Sequence, residues 1–144
     1  MFSFTITTFI NRPPQEVYDF VSNPANAVQW RNGEVSSKYT SEGPARVGST
    51  FQSVGRAMGR DLIVDAEITQ LSPPNVWAFK ASSGPMKFEE TDKFESKDDG
   101  TLLVRSFNAE IGGFFKISEG LAVKQLQKQI EADSNTLKAL LEAK

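Results

Sequence analysis

The chain contains no cysteine and no histidine. Without cysteine, disulfides and thiolate metal sites are excluded. Without histidine, the usual general base near neutral pH, the usual zinc ligand and any Ser–His or Cys–His nucleophile pair go as well. Any catalysis falls to Asp, Glu, Lys, Arg, Tyr or bound water, and neither a metal nor another cofactor is expected. No apolar run reaches the ~20 residues of a membrane helix, so stable membrane insertion is not expected. The opening Met1-Phe2-Ser3-Phe4-Thr5-Ile6 has neither the positive charge nor the apolar stretch of a signal peptide, and a cytoplasmic address is the default expectation. A basic surplus is missing too: the net charge of −2 argues against a nucleic-acid or anionic-membrane partner, which needs clustered Lys and Arg.

At 144 residues the chain has the length of one ordinary domain, and residues 1–144 are expected to form a single ligand-binding unit, a monomer or weak homodimer. The aromatics are uneven: eleven Phe against two Trp and two Tyr. Phe has no polar handle, so this bias suits a core or cavity with plain apolar walls.

Phe2, Phe4, Ile6 and Thr8 alternate with polar or small residues, the period of a half-buried strand. Pro13-Pro14 ends that strand and suits the first turn of a helix, where a missing N–H costs nothing. Val17, Phe20 and Val21 share one face of that short helix, which Asn23-Pro24 stops. A second helical turn is expected through Ala25–Val28, reaching Trp30 and an Asn32-Gly33 turn. Six strands follow, about 34–41, 48–55, 60–71, 76–81, 86–96 and 101–111, separated by short Gly, Pro and Asp punctuation. Such short gaps favour antiparallel neighbours. From about Phe114 to Glu142 there is no proline and helix formers dominate. Ala122, Leu126, Ile130, Leu137 and Leu141 keep to one face, and Gly120 leaves open a kink or a later start near Ser118. A helix of roughly 40 Å, at 1.5 Å per residue, needs a broad apolar surface to lie on. The curved sheet is the surface available.

Strand, two short helices, six strands and a long last helix is the element order of the helix-grip fold, an α+β architecture in which an antiparallel sheet of about seven strands wraps a C-terminal helix. The stretch Phe20-Val21-Ser22-Asn23-Pro24 leading to Trp30 and Gly33, then Val47-Gly48-Ser49-Thr50-Phe51, Ile68-Thr69-Gln70-Leu71-Ser72-Pro73-Pro74, Asp99-Gly100-Thr101 and the ending Leu137-Lys138-Ala139-Leu140-Leu141-Glu142 form an ordered series of motifs. The series resembles the polyketide cyclase/dehydrase-like bacterial family of the START-related (SRPBCC) superfamily, and its first member looks like that family's helix, proline and tryptophan signature. The resemblance implies a cavity between sheet and helix, opening near the loops. It implies no particular reaction, since such a superfamily hosts binders, cyclases, transfer proteins and chaperone activators. One departure stands out: Asp92 occupies a place where the family usually has an aromatic residue.

If the strands close symmetrically about Asp98-Asp99, Phe94 faces Leu103, Asp92 faces Arg105, Glu90 faces Phe107, Phe88 faces Ala109 and Met86 faces Ile111. This is the apolar face, so it places Asp92, Arg105 and Glu90 toward the core. Asp92 and Arg105 can then form two parallel charge-assisted hydrogen bonds and, with Glu90, orient a polar group on an apolar ligand. A structural ion pair at the wet rim, or a bulge that turns all three outward, are the open alternatives. Trp30, Phe51, Trp77, Phe79, Phe88, Phe107 and Phe114, with Leu126 and Ile130, are the candidate lining, each also an ordinary core position. Trp30 and Phe114 are expected near the opening. Gly55-Arg56-Ala57-Met58-Gly59-Arg60 only superficially resembles a phosphate loop, because a strand rather than a helix follows it.

Three functions fit. The first is binding or carriage of a small hydrophobic or amphipathic molecule, such as a lipid. The second is a cyclase or dehydratase using Glu90 or Asp92 as a base whose pKa burial raises. The third is a protein-interaction module like the chaperone activators, with a filled cavity and an active outer sheet.

Overall fold

Alternation in Phe2–Ile10 produces the first strand, β1, with Ile6 and Ile10 buried on one face. The computed structural model describes residues 2–57, 59–110 and 119–144, excluding the side chains of residues 57, 60 and 119–122. Pro14 opens α1 (Pro14–Val21), which buries Val17, Tyr18 and Val21. Asn23 caps a 3-10 turn over Pro24–Asn26 by accepting from the Ala25 amide at 3.1 Å. That turn runs into α2 (Ala27–Trp30), so the helical stretch continues past Val28, its expected end, to Trp30. Arg31 then leaves the helix in an extended conformation, and Gly33 turns the chain with φ +86.

The strands β2 (Glu34–Tyr39), β3 (Thr50–Ala57), β4 (Arg60–Ser72), β5 (Val76–Ser83), β6 (Met86–Lys97) and β7 (Gly100–Glu110) follow. Together they make one seven-stranded sheet in the order β1-β7-β6-β5-β4-β3-β2, antiparallel throughout. The last helix, α3 (Glu119–Glu142), lies on the inner face. This is the helix-grip fold. The expected beginnings of that helix, at Phe114 or Ser118, fall outside the described residues.

Two features fix the hairpin of β6 and β7. Asp98 and Asp99 both have positive φ (48° and 65°), the backbone of a two-residue type I′ turn whose twist matches the flanking strands. The ladder then pairs Lys97 with Gly100, Phe94 with Leu103, Asp92 with Arg105, Glu90 with Phe107 and Phe88 with Ala109, in the symmetric register expected. The Met86–Ile111 pairing involves an undescribed residue.

The apolar interior is in two parts. The larger joins Ile10, Val17, Tyr18, Trp30, Trp77, Phe94, Leu103, Leu137 and Leu141 to their neighbours; the smaller joins Ile6, Phe107 and Ile130. On β7, Arg105 stands between Leu103 of one part and Phe107 of the other. On α3, Asp133 and Ser134 stand between Ile130 and Leu137 in the same way. Polar side chains thus occupy the seam of the core. The far end of α3 is tied to β1: Glu142 accepts from the Asn11 amide and from Lys138 Nζ, both at 2.8 Å, and Lys138 Nζ donates to the Phe9 carbonyl at 2.7 Å.

Candidate ligand site

The seam holds a cluster of buried charge. Glu90, Asp92 and Arg105 project inward from β6 and β7 with side chains fully shielded from solvent. Arg31, at the end of α2, reaches Glu90 with both terminal nitrogens, at 3.0 and 2.9 Å. Arg105 Nη2 joins the same Glu90 carboxylate at 3.3 Å, while its Nη1 donates to Ser134 Oγ at 2.9 Å. The Ser134 hydroxyl in turn donates to the Ile130 carbonyl at 2.9 Å, completing a chain from sheet to helix. Both guanidiniums lie against the Trp30 ring, 4.4 Å (Arg31) and 4.8 Å (Arg105) from its centroid. On the α3 side, Asp133 Oδ1 accepts from the Asn32 amide at 2.7 Å and from Asn32 Nδ2 at 2.9 Å.

The arrangement corrects one expectation. The two-bond carboxylate–guanidinium pair is Arg31–Glu90, not Asp92–Arg105. Asp92 meets Arg105 only through Nε, at 3.4 Å, and neither Asp92 oxygen nor that Nε makes a hydrogen bond. The rim alternative also falls away, because the pair is wholly enclosed and the inner-face alternation through β6 is unbroken.

Ionisation follows from these neighbours. Burial alone would raise Glu90, but the Arg31 and Arg105 guanidiniums overcome it and hold the carboxyl far below its usual range. Burial would likewise lower Arg31; the Glu90 carboxylate reverses that and keeps it charged. Asp92 goes the other way, raised well above an ordinary Asp by burial and then by the charge of Glu90. Asp133 and Glu34 are raised as well, in both cases first by burial.

Beside the cluster, between the sheet and α3, lies a cavity of about 240 Å³. Its walls are mostly apolar, with Phe51, Val64, Trp77, Phe79, Phe88, Phe107, Ala109, Leu126 and Ile130 among them. One end is polar, where Arg31, Asn32, Glu34, Glu90, Gln129 and Asp133 converge, with Ser37 and Ser53 nearby. A larger hollow of about 870 Å³ crosses the outer face of the sheet. Its sides are rows of mixed charge, including Glu67, Lys80 and Glu89, and Lys80 approaches Glu67 to 3.8 Å, as on a solvated face. Among the described residues no group of carboxylates is placed to hold a metal ion, and no helix is long and apolar enough to cross a membrane.

Residues 1–142 match the family described as "Polyketide cyclase / dehydrase and lipid transport". The chain belongs to that family. No curated protein matches it in sequence. Solved structures agree on the architecture. TTHA0849 from Thermus thermophilus is 19% identical with a TM-score of 0.78, over 95% of this chain and 94% of that one. The Zhui aromatase/cyclase from Streptomyces sp. R1128 is 13% identical with a TM-score of 0.80, over 98% and 93%. Ara h 8.0201 is 12% identical with a TM-score of 0.79, over 99% of each. At such identities the likeness is one of fold.

Within this family member, the cavity brings together Phe51, Trp77, Phe79, Phe88, Glu90, Phe107, Leu126 and Ile130 of the expected set. Asp92 and Arg105 sit behind that wall, and so does Trp30, which is 1% exposed rather than at an opening. Phe114 lies outside the described residues. Arg31, Asn32, Glu34 and Asp133 were not foreseen. Asp133 and Ser134 did carry a signal: they interrupt the apolar face of α3 where Ile130 and Leu137 call for another hydrophobe. Arg31 carried none, since it follows Trp30 in a segment with no period.

Proposed function

We propose that the chain, as a single binding domain, holds or carries a small, mostly apolar molecule in the cavity between the sheet and α3. One observation carries this reading: among the described residues, about 240 Å³ stays open between α3 and the concave side of the sheet, beside a polar end. That volume lies just below the ~300–1,000 Å³ usual for ligand pockets, which suits a compact guest. The family's description, which includes lipid transport, supports the same reading. The test is native mass spectrometry of protein purified from its host, joined to titration with the uncharged dye N-phenyl-1-naphthylamine. A retained mass or saturable dye fluorescence is expected. Absence of both would sink the reading.

A cyclase or dehydratase activity is the second reading, supported by the family and by carboxyls at the cavity. Glu90, clamped by two guanidiniums and strongly acidic, makes a poor base, and Asp92 does not reach the cavity wall. The carboxyls better suited to proton transfer there are Glu34 and Asp133, whose affinities for a proton are raised. An interaction module would need a filled interior, and the open cavity weighs against it.

A further inference from the structure

The polar end of the cavity is unevenly charged. The charged side chains lining it are one guanidinium, Arg31, and three carboxyls, Glu34, Glu90 and Asp133; Arg105 and Asp92 lie behind the wall. The cations are already engaged. Arg31 gives both terminal nitrogens to Glu90, and Arg105 is enclosed behind the wall between Glu90, Asp92 and Ser134. The acceptors keep capacity in reserve. Asp133 is 4% exposed, lines the cavity and takes both Asn32 bonds on Oδ1, so that Oδ2 has no part in them. Glu34 lines the cavity from the edge strand β2, near Ser37 and Ser53. An entering anion would find both guanidiniums occupied and would meet carboxyls at short range, in surroundings where water screens poorly. A donor head group would find acceptors waiting.

We propose that this cavity selects an amphipathic guest whose polar end donates hydrogen bonds, an amine first and a hydroxyl second, and excludes one that ends in a carboxylate or phosphate. The selection rests on the cavity being a binding site and adds to it the class of head group. Glu34 and Asp133 are the residues that read the head, and the Arg31–Glu90 pair neutralises the floor beneath them. Fatty acids are thereby poor guests even where their chains fit the apolar walls.

Octylamine, 1-octanol and octanoate share one chain and differ in the charge and chemistry of the head group at pH 7.5. Each is titrated against the complex of the protein with N-phenyl-1-naphthylamine. The expected order of affinity is amine, alcohol, carboxylate, with about tenfold or more between first and last. Octanoate displacing the dye as well as octylamine overturns the proposal and leaves the cavity reading standing. A protein that binds neither dye nor any of the three overturns both. Glu34→Gln and Asp133→Asn are each expected to shrink the amine–carboxylate gap several-fold. Glu34→Gln is the safer of the two, because it alters an edge strand rather than the seam. A gap unchanged in both variants removes these residues from head-group recognition and overturns the assignment.

Discussion

Asp92 and Arg105 are directly opposed across the β6–β7 ladder, yet Arg105 commits its terminal nitrogens to Glu90 and Ser134 and offers Asp92 only its Nε, at 3.4 Å. Glu90 is the true centre of the seam, receiving two guanidiniums at once. With those cations engaged by one carboxylate, burial and the charge of Glu90 outweigh what Arg105 and Arg31 still offer Asp92, and its affinity for a proton is raised. The seam therefore sets two guanidiniums on one strongly acidic carboxyl, with Asp92 pushed toward its protonated form, under the Trp30 ring.

Glu90→Gln removes the shared anion and strands both guanidiniums in the interior. Breaking a buried pair in this way costs about 3–5 kcal/mol. Urea denaturation at pH 7 should show a loss in that range, and a loss below about 1 kcal/mol would contradict the seam as described.

Asp92→Asn should do the opposite at neutral pH. Because the folded-state pKa of Asp92 is raised, its stability contribution is complete below the ordinary carboxyl range, near 3.8, and is lost as pH rises through the folded value. Asparagine keeps the shape and does not titrate. The melting temperature of the variant relative to the native chain should therefore climb from pH 4 toward pH 7. A difference that stays flat with pH would mean that Asp92 is already ionised. Glu90 has the reverse sign: its contribution is present above the ordinary carboxyl range and fades in strong acid.

Ala109→Leu tests the cavity itself. Ala109 is 3% exposed and lines the void from β7, opposite Phe88. The larger side chain should fill part of the space at a strain cost of about 1–3 kcal/mol. Dye affinity is expected to fall at least several-fold while circular dichroism stays native-like. Full affinity in a folded variant would place the dye elsewhere.

The hairpin offers a stability gain. Asp98 and Asp99 both hold positive φ, which Asn-Gly tolerates better than two aspartates. The double change Asp98→Asn with Asp99→Gly should stabilise the chain by roughly 0.5–1 kcal/mol, read as a higher urea midpoint with an unchanged slope. A lower midpoint would contradict the turn assignment.

Local order in the chain was enough to specify the element succession and the register of β6 against β7. A two-residue turn and strict alternation favour one register, so the inward facing of Glu90, Asp92 and Arg105 was legible in residues 86–110, and the observed ladder excludes the bulge that would have turned them outward. The same holds for the apolar stripe of α3, whose break at Asp133 and Ser134 is visible in its period. What no local pattern encodes is which carboxylate takes which guanidinium. Arg31 lies 59 residues from Glu90 in sequence and meets it only because α2 and the inner face of β6 are brought together. Partner choice, the raised proton affinity of Asp92 and the space beside α3 depend on distances between remote segments, and those exist only once the sheet has curved around the helix.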